Sequence, residues 1–107
     1  MHYLLIYDVV DDYVRRRQPF RAAHLAHAQP FVRRGELLLG GALTDPVDQA
    51  VLLFQANSPA VPEAFAAADP YVREGLIARV RVRPWLTVAG TLASQPLTPA
   101  DVSGGPA

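Results

Sequence analysis

At 107 residues the chain is long enough for one domain with a real core. Ten basic side chains balance ten acidic ones, and half the residues are apolar, so the composition points to no nucleic acid and to no strongly charged partner. The absence of cysteine excludes disulfides, thiolate nucleophiles and cysteine-built metal sites. The opening Met1-His2-Tyr3-Leu4-Leu5-Ile6-Tyr7-Asp8 lacks the basic flank of a signal peptide, and no stretch approaches the ~18 apolar residues of a membrane span. A cytoplasmic protein that engages no membrane is expected.

Residues 3–10 are rich in Tyr, Leu, Ile and Val and stop at Asp11-Asp12, which predicts a first strand. Tyr3, Leu5, Tyr7 and Val9 fall on one face and Leu4 and Ile6 on the other, so both faces are apolar and both ask for cover. Residues 14–34 predict a helix that accepts Pro19 near its first turn, is kinked or interrupted at Pro30, and stops at Gly35. Residues 36–43 predict a second strand, loosened at Gly40-Gly41, where glycines mark a bulge or the close approach of a backbone or ligand. Thr44-Asp45-Pro46-Val47-Asp48 is turn chemistry leading into a third strand over 49–55, hence a hairpin.

Ser58 is a helix cap, followed by a short alanine-rich helix over 59–68 anchored by Phe65. Residues 76–88 predict a long final strand, with Ala78, Val80 and Val82 on one face and Arg79, Arg81 and Arg83 on the other. Beyond Gly90, Ser, Thr, Pro and Gly take over. Residues 1–90 therefore read as the domain and 91–107 as a tail, flexible or packed on a partner subunit.

The order βαββαβ is that of an α+β ferredoxin-like plait, a four-stranded antiparallel sheet with two helices on one face. The first strand leaves the opposite face partly apolar. Face-to-face pairing of two copies into a dimeric α/β barrel would bury it, so a homodimer is expected.

Two residues stand out for chemistry. His24 lies in Arg21-Ala22-Ala23-His24-Leu25 on the first helix, and Asp69 opens Asp69-Pro70-Tyr71-Val72 on a turn before the last strand. Far apart in the chain, they meet only if the fold brings them together at the edge of one pocket. An aspartate beside a histidine fixes one imidazole tautomer and stabilises the imidazolium, the arrangement of a general acid/base. Spacing alone favours a half-buried His24 bonded to a backbone group. Asp69 in turn is good turn chemistry and can cap the next turn of chain.

Arg21 lies one turn before His24 and can bind an anionic substrate group or pair with a surface carboxylate. Tyr71 can offer its hydroxyl to the pocket or wedge into the core. His27, three residues after His24, invites a metal reading, but two histidines and one carboxylate are a thin donor set, and a solvent-facing His27 is favoured; no metal is expected. The arginine row can line a barrel interior or pair with acids such as Asp8 on a neighbouring strand.

Arg21-x-x-His24-Leu25-Ala26, then Gly35-x-Leu37-Leu38-x-Gly40-Gly41, then Ala68-Asp69-Pro70-Tyr71-Val72-x-x-Gly75 and Val82-Arg83-Pro84-Trp85 together resemble the YCII (YciI-like) family over residues 3–86. The resemblance implies a ferredoxin-like fold, dimeric α/β barrels, and a His–Asp active-site pair that maps onto His24 and Asp69. Around that pair Arg21, Gly41, Pro70 and Tyr71 are the candidate substrate-binding residues. One characterised branch of the family is a dehydrochlorinase acting on a chlorinated hydroxyhydroquinone. The chain departs from the family pattern at Gly41-Ala42, where many members have Gly-Pro, and in its short hairpin loop, which touches the pocket rim.

The function implied is a small enzyme without cofactor, of lyase, dehydrochlorinase or isomerase type, acting on a small anionic or aromatic metabolite. A non-catalytic dimeric module that binds a small metabolite is the alternative. A cofactor-free monooxygenase of the wider barrel superfamily fits less well, because those families carry other signatures.

Overall fold

The computed structural model describes residues 1–101. Its strands are β1 (His2–Val9), β2 (Leu37–Ala42), β3 (Gln49–Gln55) and β4 (Ile77–Trp85), and its helices α1 (Tyr13–Arg16), α2 (Arg21–Arg33), α3 (Ala60–Ala68) and α4 (Pro70–Arg73). The strands form one antiparallel sheet in the order β2-β3-β1-β4, with the helices on one face: an α+β ferredoxin-like plait. Among the described residues no helix is long and apolar enough to cross a membrane.

Strand alternation sets the core. Tyr3, Leu5 and Tyr7 lie opposite Phe54, Leu52 and Ala50 of β3, and all six are buried. Residues opposite one another share a face, so this is the helix-covered side. Phe31 of α2, Phe54 of β3 and Phe65 of α3 meet there edge to face, with centroids 5.0, 5.3 and 6.2 Å apart. Phe65 is fully buried, a position worth ~3–5 kcal/mol against alanine. The other face carries Leu4, Ile6 and Asp8 of β1 beside Arg83, Arg81 and Arg79 of β4.

The pattern over 14–34 predicts one helix troubled at Pro30, whereas the break falls at Pro19. Pro19 sits in a 3₁₀ turn, Gln18–Phe20, that separates α1 from α2. A proline there has no N–H for the carbonyl one turn back, so the α-helical hydrogen-bond ladder is interrupted at this turn. Helix α2 then runs through Pro30 to Arg33 without ending early. Pro30 and Ala26 are both exposed, so the carbonyl that loses its partner at Pro30 remains open to water.

Bulges also differ in place. In β2 the register slips between Leu37 and Leu39, while Gly40 and Gly41 pair regularly with Leu52 and Val51. In β4 the slip leaves Ala78 between Ile77 and Arg79, so Ala78 drops out of the alternation that Val80 and Val82 keep. Strand β4 ends at Trp85 rather than running to residue 88.

Beyond it the chain folds back over the open end of its own sheet. Thr87 Oγ1 lies 2.6 Å from Nδ1 of the buried His2, and the amides of Gln95 and Leu97 donate to the carbonyls of Thr87 and Val88 at 3.1 and 2.9 Å. The last part of the expected tail, residues 102–107, lies outside the described residues.

Candidate active site

The segment Asp69-Pro70-Tyr71-Val72-Arg73-Glu74-Gly75 builds a helical turn capped at both ends. Asp69 is the N-cap, its carboxylate accepting from the Tyr71 amide at 3.0 Å, and Pro70 follows at the first helical position, where a missing N–H is no loss. At the other end Gly75, at φ +76°, donates to the Val72 carbonyl at 3.2 Å and Leu76 donates to the Tyr71 carbonyl at 3.0 Å. That double closure is a Schellman motif. Gly35 closes α2 in the same way, at φ +73°, with Gly35 and Glu36 donating to Val32 and Phe31.

The capping carboxylate has further partners. Asp69 is fully buried, and its Oδ1 also lies 2.8 Å from Nδ1 of His24 on α2, while its Oδ2 accepts from the Tyr7 hydroxyl of β1 at 2.7 Å. Three donors from three elements therefore hold one side chain, which satisfies a buried carboxylate and removes its freedom to turn. Burial, reinforced by the neighbouring Asp69 charge and hydrogen bond, pushes the Tyr7 hydroxyl far above its ordinary range, so it stays a donor.

His24 is held on its flat side as well. Its ring stacks on Tyr71 with centroids 3.9 Å apart and planes 4° from parallel, and meets the edge of Phe65 at 6.3 Å. With Nδ1 engaged by Asp69, Nε2 is the nitrogen left to the solvent side; the His24 side chain is 17% exposed.

That side opens into a cavity of about 300 Å³ between α2 and β2. The gap has a simple origin. Helix α2 buries no residue fully, and short side chains line both walls, Ala28 on the helix and Gly40, Gly41 and Ala42 on the strand. A Cβ on Gly40 would come within 3.0 Å of Leu52 Cγ, so only glycine leaves that part of the wall clear. Leu25, Val32, Leu37 and Leu52 supply the apolar surface, and Tyr7, Tyr13, Arg17, Arg21, His24 and Tyr71 the polar end.

A family model of the YCII-related domain matches residues 1–86. The chain belongs to the YCII family. Among solved structures, the 5-chloro-2-hydroxyhydroquinone dehydrochlorinase from Burkholderia phenoliruptrix AC1100, in complex with 2,5-dihydroxybenzoquinone, superposes with a TM-score of 0.68 at 23% identity, over 81% of this chain and 95% of that one. A NIPSNAP family protein from Agrobacterium tumefaciens str. C58 gives 0.55 at 16% identity, over 87% and 95%. A NIPSNAP-like domain protein from Burkholderia xenovorans gives 0.53 at 21% identity, over 94% and 96%. At these identities the three structures share the fold. No curated protein matches the sequence.

Of the residues singled out in this YCII chain, Arg21, His24, Gly41 and Tyr71 line the cavity, and Asp69 is buried behind His24. Pro70 is not a lining residue: at the start of α4 it shapes the turn that carries Asp69 and Tyr71. Tyr71 is both core and pocket, 2% exposed, edge-on to Tyr13 at 5.7 Å, with a hydroxyl that makes no hydrogen bond among the described residues. Burial raises its pKa, Tyr13 adds to the rise, and the Arg21 and Arg17 charges pull it back.

His27, expected to face solvent, is instead half-buried, its Nε2 donating to the Phe65 carbonyl at 2.9 Å and its ring packed on Phe31 and Phe65. Among the described residues no group of three or more His, Cys, Asp or Glu gathers to hold a metal ion. In the arginine row Arg81 donates to Asp8 at 3.2 Å, and Asp8 also accepts from Gln49 at 2.8 Å. Those hydrogen bonds, that from Gln49 foremost, lower the Asp8 pKa.

Tyr7, Tyr13 and Arg17 escape the sequence reading. Tyr7 is legible as an inward residue of β1 but not as a partner of Asp69. Arg17 becomes a cavity residue only because the turn at Pro19 redirects the chain before α2.

Proposed function

We propose that this YCII chain is a cofactor-independent enzyme in which His24 moves a proton as general acid/base and Asp69 orients it. The observation that carries this reading is the His24 ring, locked by Asp69 at Nδ1 and by the Tyr71 stack, with Nε2 left to a cavity of one-ring size. The neutral ring, protonated on Nδ1, accepts a proton at Nε2, and the buried carboxylate stabilises the imidazolium that forms. Arg21 at the cavity supports binding of a substrate oxyanion.

This kit suits elimination or isomerisation. In an elimination the base removes a proton, its electron pair forms the new double bond, and the leaving group departs with its own pair, so no oxidant or metal is called for. The related fold of a dehydrochlorinase, whose name states a chlorinated hydroxyhydroquinone as substrate, supports a small hydroxylated ring as the substrate class here.

The test is a panel of chlorinated and unchlorinated hydroxyhydroquinones and enolisable ring acids, followed by halide release and by solvent-deuterium uptake. The wild-type chain is expected to turn over at least one of them, and His24→Gln to lose that turnover by ~10²–10⁴-fold with its melting temperature kept. A His24→Gln chain as active as wild type overturns the assignment. A wild-type chain inert across the panel that still binds its members favours the metabolite-binding module instead.

A further inference from the structure

We infer that Arg17, Arg21 and the Tyr71 hydroxyl form one oxyanion clamp, which selects a ring-sized ligand carrying a carboxylate, phenolate or enolate oxygen. The inference deepens the acid–base reading by naming the ligand class of the same cavity.

Charge comes first. The cavity is lined by two arginines and by no aspartate or glutamate. Asp69 behind it has both oxygens occupied by Tyr7, His24 and the Tyr71 amide. Among the described residues Arg17 and Arg21 form no ion pair; Arg16, Arg33, Arg73, Arg79 and Arg83 also lack one, but Arg17 and Arg21 are the arginines that line this cavity. A pair of guanidinium groups sharing a partly enclosed space without a counter-charge favours an incoming anion.

Unused donors come second. The Tyr71 hydroxyl and Arg17 Nε are buried atoms with no hydrogen-bond partner among the described residues, and Arg21 approaches that hydroxyl without completing a bond. A buried donor without an acceptor costs free energy, and an oxyanion between these groups removes that cost. Arg17 is also pre-positioned: its guanidinium lies over the Tyr13 ring, 5.2 Å from the centroid, so little side-chain freedom is lost on binding.

Placement comes third. Arg21 precedes His24 by three residues, ~4.5 Å along the helix axis, so an oxygen at the clamp sets a ring carbon beside the His24 ring. The apolar side chains of Leu25, Leu37 and Leu52 flank the space such a ring would occupy.

Benzoate and benzamide, alike in shape and differing in charge, test the clamp by calorimetric titration of the wild-type chain and of Arg17→Gln, Arg21→Gln and His24→Gln. Wild type is expected to bind benzoate about tenfold or more tighter than benzamide, a preference that salt weakens. Arg17→Gln should lose most of that preference without changing benzamide binding, and Arg21→Gln, altered at an exposed residue, should do the same. No preference in wild type, or full preference in Arg17→Gln, overturns the clamp. The two readings fail separately, because lost turnover in His24→Gln judges the acid–base role, while retained benzoate preference in that variant supports the clamp alone.

Discussion

His24 and His27 lie one turn apart on α2, and their neighbours give them different work. His27 ties α2 to α3 through the Phe65 carbonyl, whereas His24 meets Asp69 and lines the cavity. His27→Leu should therefore leave that carbonyl without its partner, lowering stability by ~1–3 kcal/mol while benzoate binding holds; calorimetry beside titration reads both, and a loss of binding with no loss of stability would reverse the roles. The half-buried histidine bonded to a backbone group, which spacing alone allows for His24, is thus real but belongs to His27. Spacing could not separate the two, since both fall on the inner side of one helix. They are separated by a carbonyl on α3 and a carboxylate before α4, contacts that only the tertiary fold creates. Arg17 was hidden for a related reason, because its surroundings depend on where the chain bends.

At the level of elements, the strands were legible because each is a short run rich in apolar residues, the last of them alternating, and punctuation separates them. The partition of the first helical region was not. Both Pro19 and Pro30 break the helical rule and both are exposed, so neither composition nor exposure distinguishes them: the chain breaks at Pro19 and runs through Pro30. The short helix α4 was readable only as a turn, since a segment of Pro70–Arg73 is too brief for any periodicity, although its Asp, Pro and Gly are capping residues in the right order. Gly75 carries the weight of that closure. Gly75→Ala forces a side chain into the left-handed region at a cost of ~1–2 kcal/mol, so its melting temperature should fall by about 4–8 °C per kcal/mol. An unchanged melting temperature in a thermal scan would show that the turn tolerates a relaxed closure.

Across the whole molecule, one layer of helices covers one face of the sheet, and the molecule measures 51 × 30 × 19 Å. Among the described residues, those that follow Trp85 border the His2 end of the other face, beside Leu53 and Trp85. The rest presents Leu4, Ile6 and Val51, with Leu39 61% exposed on the edge strand. We propose that a second copy covers this face, as the ferredoxin-like order suggested. Sedimentation should then report a dimer, and Ile6→Glu, which sets a charge in the middle of the face, should shift it to monomer at micromolar concentration. A wild-type chain that sediments as a monomer at high concentration would sink the proposal. The apolar second face of β1 was plain in the sequence, while the Asp8–Arg81 and Asp8–Gln49 contacts that temper it were only partly so.

Asp69 serves the fold and the cavity with the same two oxygens. The fold is freer to lose His24, whose ring stacks on Tyr71 and leaves Asp69 two other donors. It is not equally free to lose Asp69, whose cap and whose bond to Tyr7 keep α4 joined to β1. A change at position 24 therefore removes one of three partners of Asp69, whereas a change at position 69 removes the cap of α4 and its tie to β1 together.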